Sequence, residues 1–443
     1  MDLVGLIPSF GGLIWTIGAF IIALSIIVAI HEYGHYIVGR WSGIHAEVFS
    51  IGFGPVLTSR VDKRGTVWQI AALPFGGFVK FKGDANAASV GSEDTAEMTP
   101  AERRATMTGA PLWARAATVF AGPAFNFIFA FFVFAILVMF RGVASDPLTI
   151  AELSPLPGEY GLDVGDEILA IDGQETPSFD QFSSFVDALP VQPVLAYRVL
   201  RDGAEVVVDG PYPRPAQALA VTLDSAALDA GIEQGDVIQA VDGAPVFAFG
   251  QLREIVGASD GAPLALTIWR DGEVIEKTLE PRRMDLPMPE GGFETRWLIG
   301  IQGGLFFEPQ SESPGLFEAA TYGVERVNFI ITSTFSGLYH MVVGAISTCN
   351  ISGPIGIAEV SGAAASQGWF TFVSFIAMLS VAVGLLNLFP IPVLDGGHLV
   401  FHAWEALTGH PPSERALNIL MTVGLGLMAM LMVFAITNDL FCP

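Results

Sequence analysis

The stretch Ile30-His31-Glu32-Tyr33-Gly34-His35-Tyr36 lies inside an apolar run that starts near Trp15. It has the pattern His-Glu-x-x-His. Positions i and i+4 of a helix share a face, so His31 and His35 can point two imidazole nitrogens at one cation. Glu32 follows the first histidine directly and can reach a water on the same metal. Because polar side chains are costly in an apolar spanning segment, the pattern favours a functional metal site over a polar patch that packs two helices.

The composition indicates a membrane protein that also has soluble parts. Of the 443 residues, 51% are hydrophobic and 15% are charged, and the mean hydropathy is +0.53. The formal net charge is −24, and residues 141–340 hold 31 of the 45 acidic residues but 11 of the 21 basic ones, a local balance of −20. Such an acidic surface repels phosphate backbones, so we expect no nucleic-acid partner.

Cys349 and Cys442 are the two cysteines of the chain, too few for a thiolate zinc site or a disulfide framework. They can pair if both face an oxidising compartment. Two isolated, buried thiols are the favoured alternative.

Four apolar stretches predict four transmembrane helices, at about 13–38, 116–140, 371–394 and 417–436. The loop between the first two spans carries nine basic residues against seven acidic ones. This excess places the loop in the cytoplasm and both chain termini on the outer side of the membrane. The His-Glu-x-x-His pattern then lies within the bilayer, near the cytoplasmic end of its span.

The apolar loop at 45–83 predicts a membrane-associated β-hairpin or small sheet. Residues 48–57 and 67–81 are rich in Val, Ile and Phe, and glycines predict bends at 52–55 and 76–77. The segment is very apolar for a cytoplasmic loop. We therefore favour a sheet that dips into the membrane beside the metal over a small surface sheet.

Residues 145–283 contain an internal repeat with an offset of 70. Residues 161–173 and 231–243 agree at seven of thirteen positions, and both contain Gly-Asp-x-Ile-x-x-x-Asp-Gly. This pattern resembles PDZ domains, small β-sandwiches with two helices that take up an extended peptide as an added strand. It predicts two tandem domains, 145–213 and 214–285, between spans 2 and 3. Spacers that bind no peptide are the alternative.

The third span ends in Asn387-Leu388-Phe389-Pro390-Ile391-Pro392-Val393-Leu394-Asp395-Gly396-Gly397-His398. Two prolines and two glycines cannot continue a regular helix, so we expect the backbone to open here. A catalytic zinc ion takes three protein ligands and keeps a fourth position open. The late residues of this span lie at the depth of His31 and His35. Asp395 is therefore the favoured third ligand, and His398 is its competitor.

Together these motifs resemble the site-2 protease family, most closely its RseP-type branch of bacterial intramembrane zinc metalloproteases. The resemblance covers nearly the whole chain. It implies a Zn²⁺ ion held by His31, His35 and Asp395, with Glu32 as general base and proton shuttle. It also implies a set of substrate-binding residues, namely Gly52, Phe53, Gly54, Asn387, Pro390 and Pro392. The segment Gly122-Pro123-x-x-Asn126 matches a motif of the family's second span.

The resemblance further implies the substrates and the location of the enzyme. Its partners would be the lipid bilayer and single-pass transmembrane substrates, of the kind of anti-sigma factors and signal-peptide remnants, in regulated intramembrane proteolysis. The protein would span the bacterial inner (cytoplasmic) membrane, with a periplasmic PDZ pair acting as a size filter. A membrane scaffold with a non-catalytic metal site is the rival interpretation. A transporter is disfavoured because four spans show no inverted repeat.

The sequence thus predicts a polytopic α-helical membrane protein with four transmembrane helices, a membrane-associated β region and two inserted PDZ domains. Residues 1–140 form the N-terminal membrane half, and residues 370–443 form the C-terminal one. Between the PDZ pair and the third span, residues 286–369 form a linker that contains an amphipathic helix over about 314–346.

Overall fold

The computed structural model describes residues 10–84, 98–222, 225–288 and 292–441. It divides into two compact units. The first consists of Met1–Leu137, Leu316–Val342 and Ser347–Pro443, and the second of Val138–Gly315 and Val343–Ile346.

Eleven α-helices occur in the described part of the chain. They are α1 (Phe10–Trp41), α2 (Pro100–Arg104), α3 (Leu112–Arg141), α4 (Phe179–Ala188), α5 (Ala226–Asp229), α6 (Phe249–Ala258), α7 (Leu316–Val342), α8 (Pro354–Ser366), α9 (Trp369–Asn387), α10 (Asp395–Thr408) and α11 (Glu414–Phe441). Among the described residues, four segments are long and apolar enough to cross a membrane, at Gly12–Trp41, Leu112–Arg141, Trp369–Asn387 and Glu414–Phe441. The chain is therefore a polytopic α-helical membrane protein.

The first unit contains one sheet, made of β1 (Ala46–Val61) and β2 (Val67–Phe81). Both strands bend, so the two strands form four segments lying side by side. Residues 46–51 pair with 77–81 on one side and with 67–70 on the other, and residues 56–61 pair again with 67–71. Residues 77–81, which we call the edge segment, are therefore at one end of the sheet.

Glycine permits the bends of β1. Gly52 and Gly54 have φ values of +88° and +84°, a region that other residues rarely adopt. A Cβ atom at Gly52 would also lie 2.9 Å from the Ala71 carbonyl oxygen. The bends let one continuous strand contribute two segments to the sheet, and this brings the edge segment next to α1.

The second unit contains sixteen short strands in its described residues. They are β3 (Val143–Ala144), β4 (Ile150–Leu153), β5 (Glu167–Ile171), β6 (Gln174–Glu175), β7 (Leu195–Arg201), β8 (Ala204–Gly210), β9 (Ala220–Val221), β10 (Val237–Val241), β11 (Ala244–Pro245), β12 (Leu264–Arg270), β13 (Glu273–Leu279), β14 (Arg282–Pro287), β15 (Phe293–Leu298), β16 (Ile301–Gln302), β17 (Phe307–Pro309) and β18 (Ser311–Glu312).

The sequence repeat corresponds to a repeat in structure. One sheet has the order β6-β5-β7-β8 and the other β11-β10-β12-β13, so the same order occurs twice. Each sheet is accompanied by a ten-residue helix, α4 or α6, and each has its own apolar core. Each repeat is therefore built around an interior of its own.

The Gly-Asp pair of each repeat holds a buried carboxylate. Asp166 Oδ1 accepts a 2.7 Å hydrogen bond from Arg201 Nε, and its Oδ2 accepts one of 2.6 Å from Arg201 Nη2. Asp236 and Arg270 form the same pair, at 2.7 Å for both bonds. Burial alone raises the pKa of Asp166, but the bonds from Arg201 and the Asp163 amide outweigh burial and hold this pKa below its ordinary value.

The third candidate span differs from the prediction. Helix α9 ends at Asn387, whereas the sequence predicts a span up to about Leu394. Pro390 and Pro392 explain the earlier end, because proline lacks an amide proton and disfavours helical backbone in the residue before it. The glycine pair after them does not open the backbone as expected, since Gly396 and Gly397 lie in the first turn of α10.

The linker predicted at 286–369 is divided between the two units. Strands β15 to β18 belong to the second unit, where β17 pairs with β4 and β18 with β3. The helical part consists of α7, which ends at Val342, and α8, which begins at Pro354 after the N-cap residue Gly353.

The expectation of isolated, buried thiols is wrong for Cys349. This residue is disulfide-bonded and exposed, whereas residue 442 lies outside the described residues. The end of α11 is attached to the same region by hydrogen bonds. Asp439 accepts bonds from the Gly353 and Ile355 amides at 2.7 and 3.0 Å, and Asn438 donates one of 2.7 Å to the Thr348 carbonyl. Such amides at a helix start have no partner within the helix.

We expect Asp166→Ala to lower the stability of the first repeat by about 1.5–3 kcal/mol, the usual worth of hydrogen bonds to a charged group. Hydrogen exchange of the full-length protein in detergent measures this loss repeat by repeat. The wild-type contribution is present above the unfolded-state pKa of about 3.9 and is lost as the pH falls through the lower folded-state pKa.

Asp236→Ala is the matched control, because it removes the equivalent carboxylate from the second repeat. It should increase exchange in residues 231–279 and leave residues 161–210 protected. Equal effects of both variants on both repeats would contradict two independent cores.

Candidate metal centre

Three ligand atoms converge where α1 meets the start of α10. His31 and His35 lie one turn apart on α1, and their Nε2 atoms are 3.2 Å apart. Asp395 opens α10, and its Oδ2 lies 3.1 Å from His31 Nε2 and 3.5 Å from His35 Nε2. Within the described part of the chain, this is the group of His, Cys, Asp and Glu side chains that could hold a metal ion.

The separations fit tetrahedral zinc. Zinc bonds to nitrogen and oxygen of about 2.0–2.1 Å place the ligand atoms of a tetrahedral ion about 3.3 Å apart. The three observed distances, 3.1 to 3.5 Å, bracket that value. Two imidazoles and one carboxylate are also a donor set used by catalytic zinc sites, which leave a fourth position open.

Helix α3 supports both histidines from behind. His35 Nδ1 donates a 2.8 Å hydrogen bond to the main-chain carbonyl of Thr118, and His31 Nδ1 lies 3.3 Å from Asn126 Nδ2. Gly122 gives the rings their space, because a Cβ atom there would lie 2.5 Å from His35 Cε1 and 2.9 Å from His31 Cε1. Two residues of the motif that the sequence placed in the second span, Gly122 and Asn126, thus lie against the rings.

Glu32 lies between the metal site and the sheet. Its carboxylate is half-buried beside the backbone of Val79 in the edge segment. Gly77 also lies close, since a Cβ atom there would be 3.2 Å from Glu32 Cγ. The edge segment therefore passes directly beside the carboxylate that follows the first histidine.

A cavity of about 1200 Å³ leads to these residues. His31, Glu32, His35 and Asp395 all line it. The lining also includes His398 and His402 of α10, together with Arg115 and Glu405, which form an ion pair at 2.5 Å. The room is sufficient for an extended peptide segment beside the metal site.

Not all predicted substrate-binding residues reach this cavity. Asn387 lines it, and its Nδ2 donates to the Val383 carbonyl at 3.0 Å. Pro390 and Pro392 do not line it, although their neighbours Val393 and Leu394 do. Pro392 instead packs near Gly424 of α11.

The segment Gly52-Phe53-Gly54 also stays outside the cavity lining, and the Phe53 ring stacks on Phe78 at 6.1 Å. In its place, Gly77, Phe78 and Val79 line the cavity. The one sequence feature near these cavity-lining residues is the glycine pair at 76–77, which predicts a bend but not a place in the cavity lining.

Comparison with known proteins agrees with this geometry. The sequence matches peptidase family M50 over residues 19–431. The chain belongs to peptidase family M50. Among its relatives, a protein of Agrobacterium fabrum named as a zinc metalloprotease is 36% identical over 439 residues, covering 98% of both chains. The regulator of sigma-E protease RseP of Salmonella typhimurium is 33% identical over 459 residues, covering 96% of this chain and 98% of its own.

Membership of peptidase family M50 confirms the resemblance seen in the sequence. The chain is a site-2-type zinc metalloprotease, and its metal is Zn²⁺. The four candidate spans and the RseP-type relatives agree with an inner-membrane protein.

Asp395→Ala should weaken zinc binding by more than about 100-fold, because loss of even an outer partner of a ligand costs 10–100-fold. Competition with a chelator measures the affinity. His398→Ala is the matched control: it lines the same cavity but should keep zinc. Zinc retained by Asp395→Ala and lost by His398→Ala would make His398 the third ligand.

Proposed function

We propose that this protein is an intramembrane endopeptidase that cleaves the transmembrane segments of single-pass membrane proteins. His31, His35 and Asp395 hold the zinc ion, and Glu32 is the general base. The observation that carries the proposal is the convergence of three ligand atoms within 3.5 Å of one another beside Glu32.

Glu32 has the position that proton transfer requires. When bound, zinc supplies Lewis acidity, which activates water and polarises the scissile carbonyl. The Glu32 carboxylate takes the proton from the attacking water and then passes it to the leaving amide nitrogen. The edge segment packs against Glu32, since a Cβ atom at Gly77 would lie 3.2 Å from Glu32 Cγ.

The edge segment offers a place for an unwound substrate. Peptide bonds of a transmembrane helix are hydrogen-bonded internally and shielded, so the helix must open before cleavage. Among the described residues, the sheet partners of 77–79 are 49–51, and 77–79 also line the cavity. A substrate strand added there would satisfy its freed amides beside Glu32. Substrates with small or helix-breaking residues would open most readily.

We also propose that residues 145–213 and 214–285 are tandem PDZ domains that act as a periplasmic size filter. The repeated strand order, with one helix on each sheet, supports this assignment. The basic loop between the first two spans supports an outer location for both domains and both termini. The filter would admit proteins whose outer domain has already been trimmed.

The physiological substrates that we propose are anti-sigma factors and signal-peptide remnants in the inner membrane. Relatives bearing the name of sigma-E regulators support the first class. The metal site would then lie near the cytoplasmic side, because His35 is five residues from Arg40 at the cytoplasmic end of α1.

Glu32→Gln should keep its zinc and lower the cleavage rate by about 10²–10⁴-fold, the usual contribution of a general base. The assay follows a tagged single-pass substrate in detergent, with and without chelator, and metal analysis accompanies it. Tyr33→Phe is the control, because it changes the neighbouring residue and should cleave normally. Unchanged cleavage by Glu32→Gln would remove Glu32 from this role.

The size filter can be tested by removing the repeats as a block. Val143 pairs with Glu312, so the chain enters and leaves at neighbouring strands, and a short Gly-Ser linker can replace residues 144–311. We expect the shortened protein to cleave a substrate with a folded outer domain, which the intact protein rejects. A substrate with a short outer tail should be cleaved by both. Continued rejection of the folded substrate would refute the filter.

A further inference from the structure

The two histidines on α1 differ in the group that contacts their outer ring nitrogen, Nδ1. His35 Nδ1 faces a main-chain acceptor, the Thr118 carbonyl, at 2.8 Å. His31 Nδ1 faces a side chain, the amide of Asn126, at 3.3 Å. Asn126 is wholly buried, at 0% exposure, and its Oδ1 accepts no hydrogen bond from any described residue.

The nearest amide atom, Nδ2, is a donor, so it requires a lone pair on His31 Nδ1. In that arrangement the ring proton is on Nε2, the atom that lies 3.1 Å from Asp395 Oδ2. A neutral imidazole binds a metal through the nitrogen that lacks the proton. With Nε2 bound to zinc, Nδ1 must carry the proton and needs an acceptor.

We propose that Asn126 is the positioning residue of His31. In the zinc-bound protein its amide is turned by half a rotation, so that Oδ1 accepts a hydrogen bond from His31 Nδ1–H. The ring proton then moves from Nε2 to Nδ1, with no net gain or loss. This inference rests on the proposed role of His31 as a zinc ligand.

The surroundings of Asn126 allow this rotation. Oδ1 has no hydrogen bond to lose among the described residues, so none opposes the exchange of the two ends of the amide. The backbone is fixed from the other side by α9. Ser380 Oγ donates a 3.2 Å bond to the Asn126 carbonyl, and a Cβ atom at Gly384 would lie 3.1 Å from Asn126 Cβ. The amide can therefore turn while its Cα stays in place.

The partner of a ligating histidine fixes both its tautomer and its ring orientation. The acceptor of His35 belongs to the main chain, so no substitution deletes it. The acceptor of His31 is a side chain, and substitution can remove it. The two histidines thus provide an internal comparison. Substitution of Asn126 removes the partner of His31, whereas substitution of Thr118 keeps the main-chain partner of His35.

The test uses full-length protein in detergent and zinc affinity measured by competition with a chelator. Asn126→Leu keeps the branched shape but removes the acceptor, and should weaken zinc binding 10–100-fold. Asn126→Asp offers only acceptors and should stay within a few-fold of wild type. Thr118→Val, which is equally buried and on the same helix, should bind zinc normally because the carbonyl that holds His35 remains.

Excess zinc should restore much of the cleavage activity of Asn126→Leu, since the variant leaves Glu32 in place. Asn126→Ala replaces the leucine variant if leucine prevents folding. Wild-type zinc affinity of the leucine or alanine variant would overturn the proposal. The proposal would also be overturned if Asn126→Asp weakened zinc binding as much as Asn126→Leu while its melting temperature stayed at that of the wild type. Packing or a hydrogen-bond donor at residue 126 would then determine the zinc affinity.

His31→Ala separates this inference from the proposed function. If His31→Ala loses zinc and Asn126→Leu retains it, the role of Asn126 is contradicted but the proposed ligand set is not. Normal zinc binding by His31→Ala contradicts the proposed ligand set itself. Nitrogen NMR of labelled histidine gives a second readout, because the zinc-loaded wild type should carry the His31 proton on Nδ1.

Discussion

The close approach of α1 and α3 is the constraint on which the metal centre depends. Gly34 on α1 faces α3, where a Cβ atom would lie 2.9 Å from Phe125 Cβ, and Gly122 on α3 faces the imidazole rings. Any side chain at either position would separate the helices or displace a ring. Two glycines therefore allow a main-chain carbonyl and a buried amide to reach the outer nitrogens of the histidines. Rings held in this way can present Nε2 at separations that suit one ion.

A close approach at another glycine brings the sheet to the Glu32 carboxylate. Gly77 has its Cβ position close to the Ser50 carbonyl oxygen, Val28 and Glu32, so a larger residue would push the edge segment away from α1. With glycine there, residues 77–79 of the edge segment and the proposed general base line one cavity. Binding of an extended backbone and attack on it can then occur without a large movement of either group.

The sequence predicted what is local or repeated, and missed what depends on distant contacts. The histidines at 31 and 35 follow from helical spacing, and the repeats follow from a motif that occurs twice. Asp395 followed from the topology of the spans. The contact of Asn126 with His31 could not be derived, because it joins residues 95 positions apart on different helices. The edge segment was missed for a similar reason: the bends of β1, rather than composition, decide which part of β2 faces the cavity.

The break after α9 explains how a carboxylate can be placed opposite two imidazoles in an apolar setting. A helix running through to Leu394 would have placed Asp395 beyond its end, with no fixed direction. Instead the chain turns at the prolines and starts α10 at Asp395 itself. The carboxylate then lies at a helix N-terminus, where free amides and the helix dipole favour negative charge. Gly396 and Gly397 make this possible, because a Cβ atom at Gly397 would lie 2.5 Å from Pro392 Cα. The prolines and glycines thus hold the Asp395 carboxylate in a fixed direction, which a flexible loop would not do.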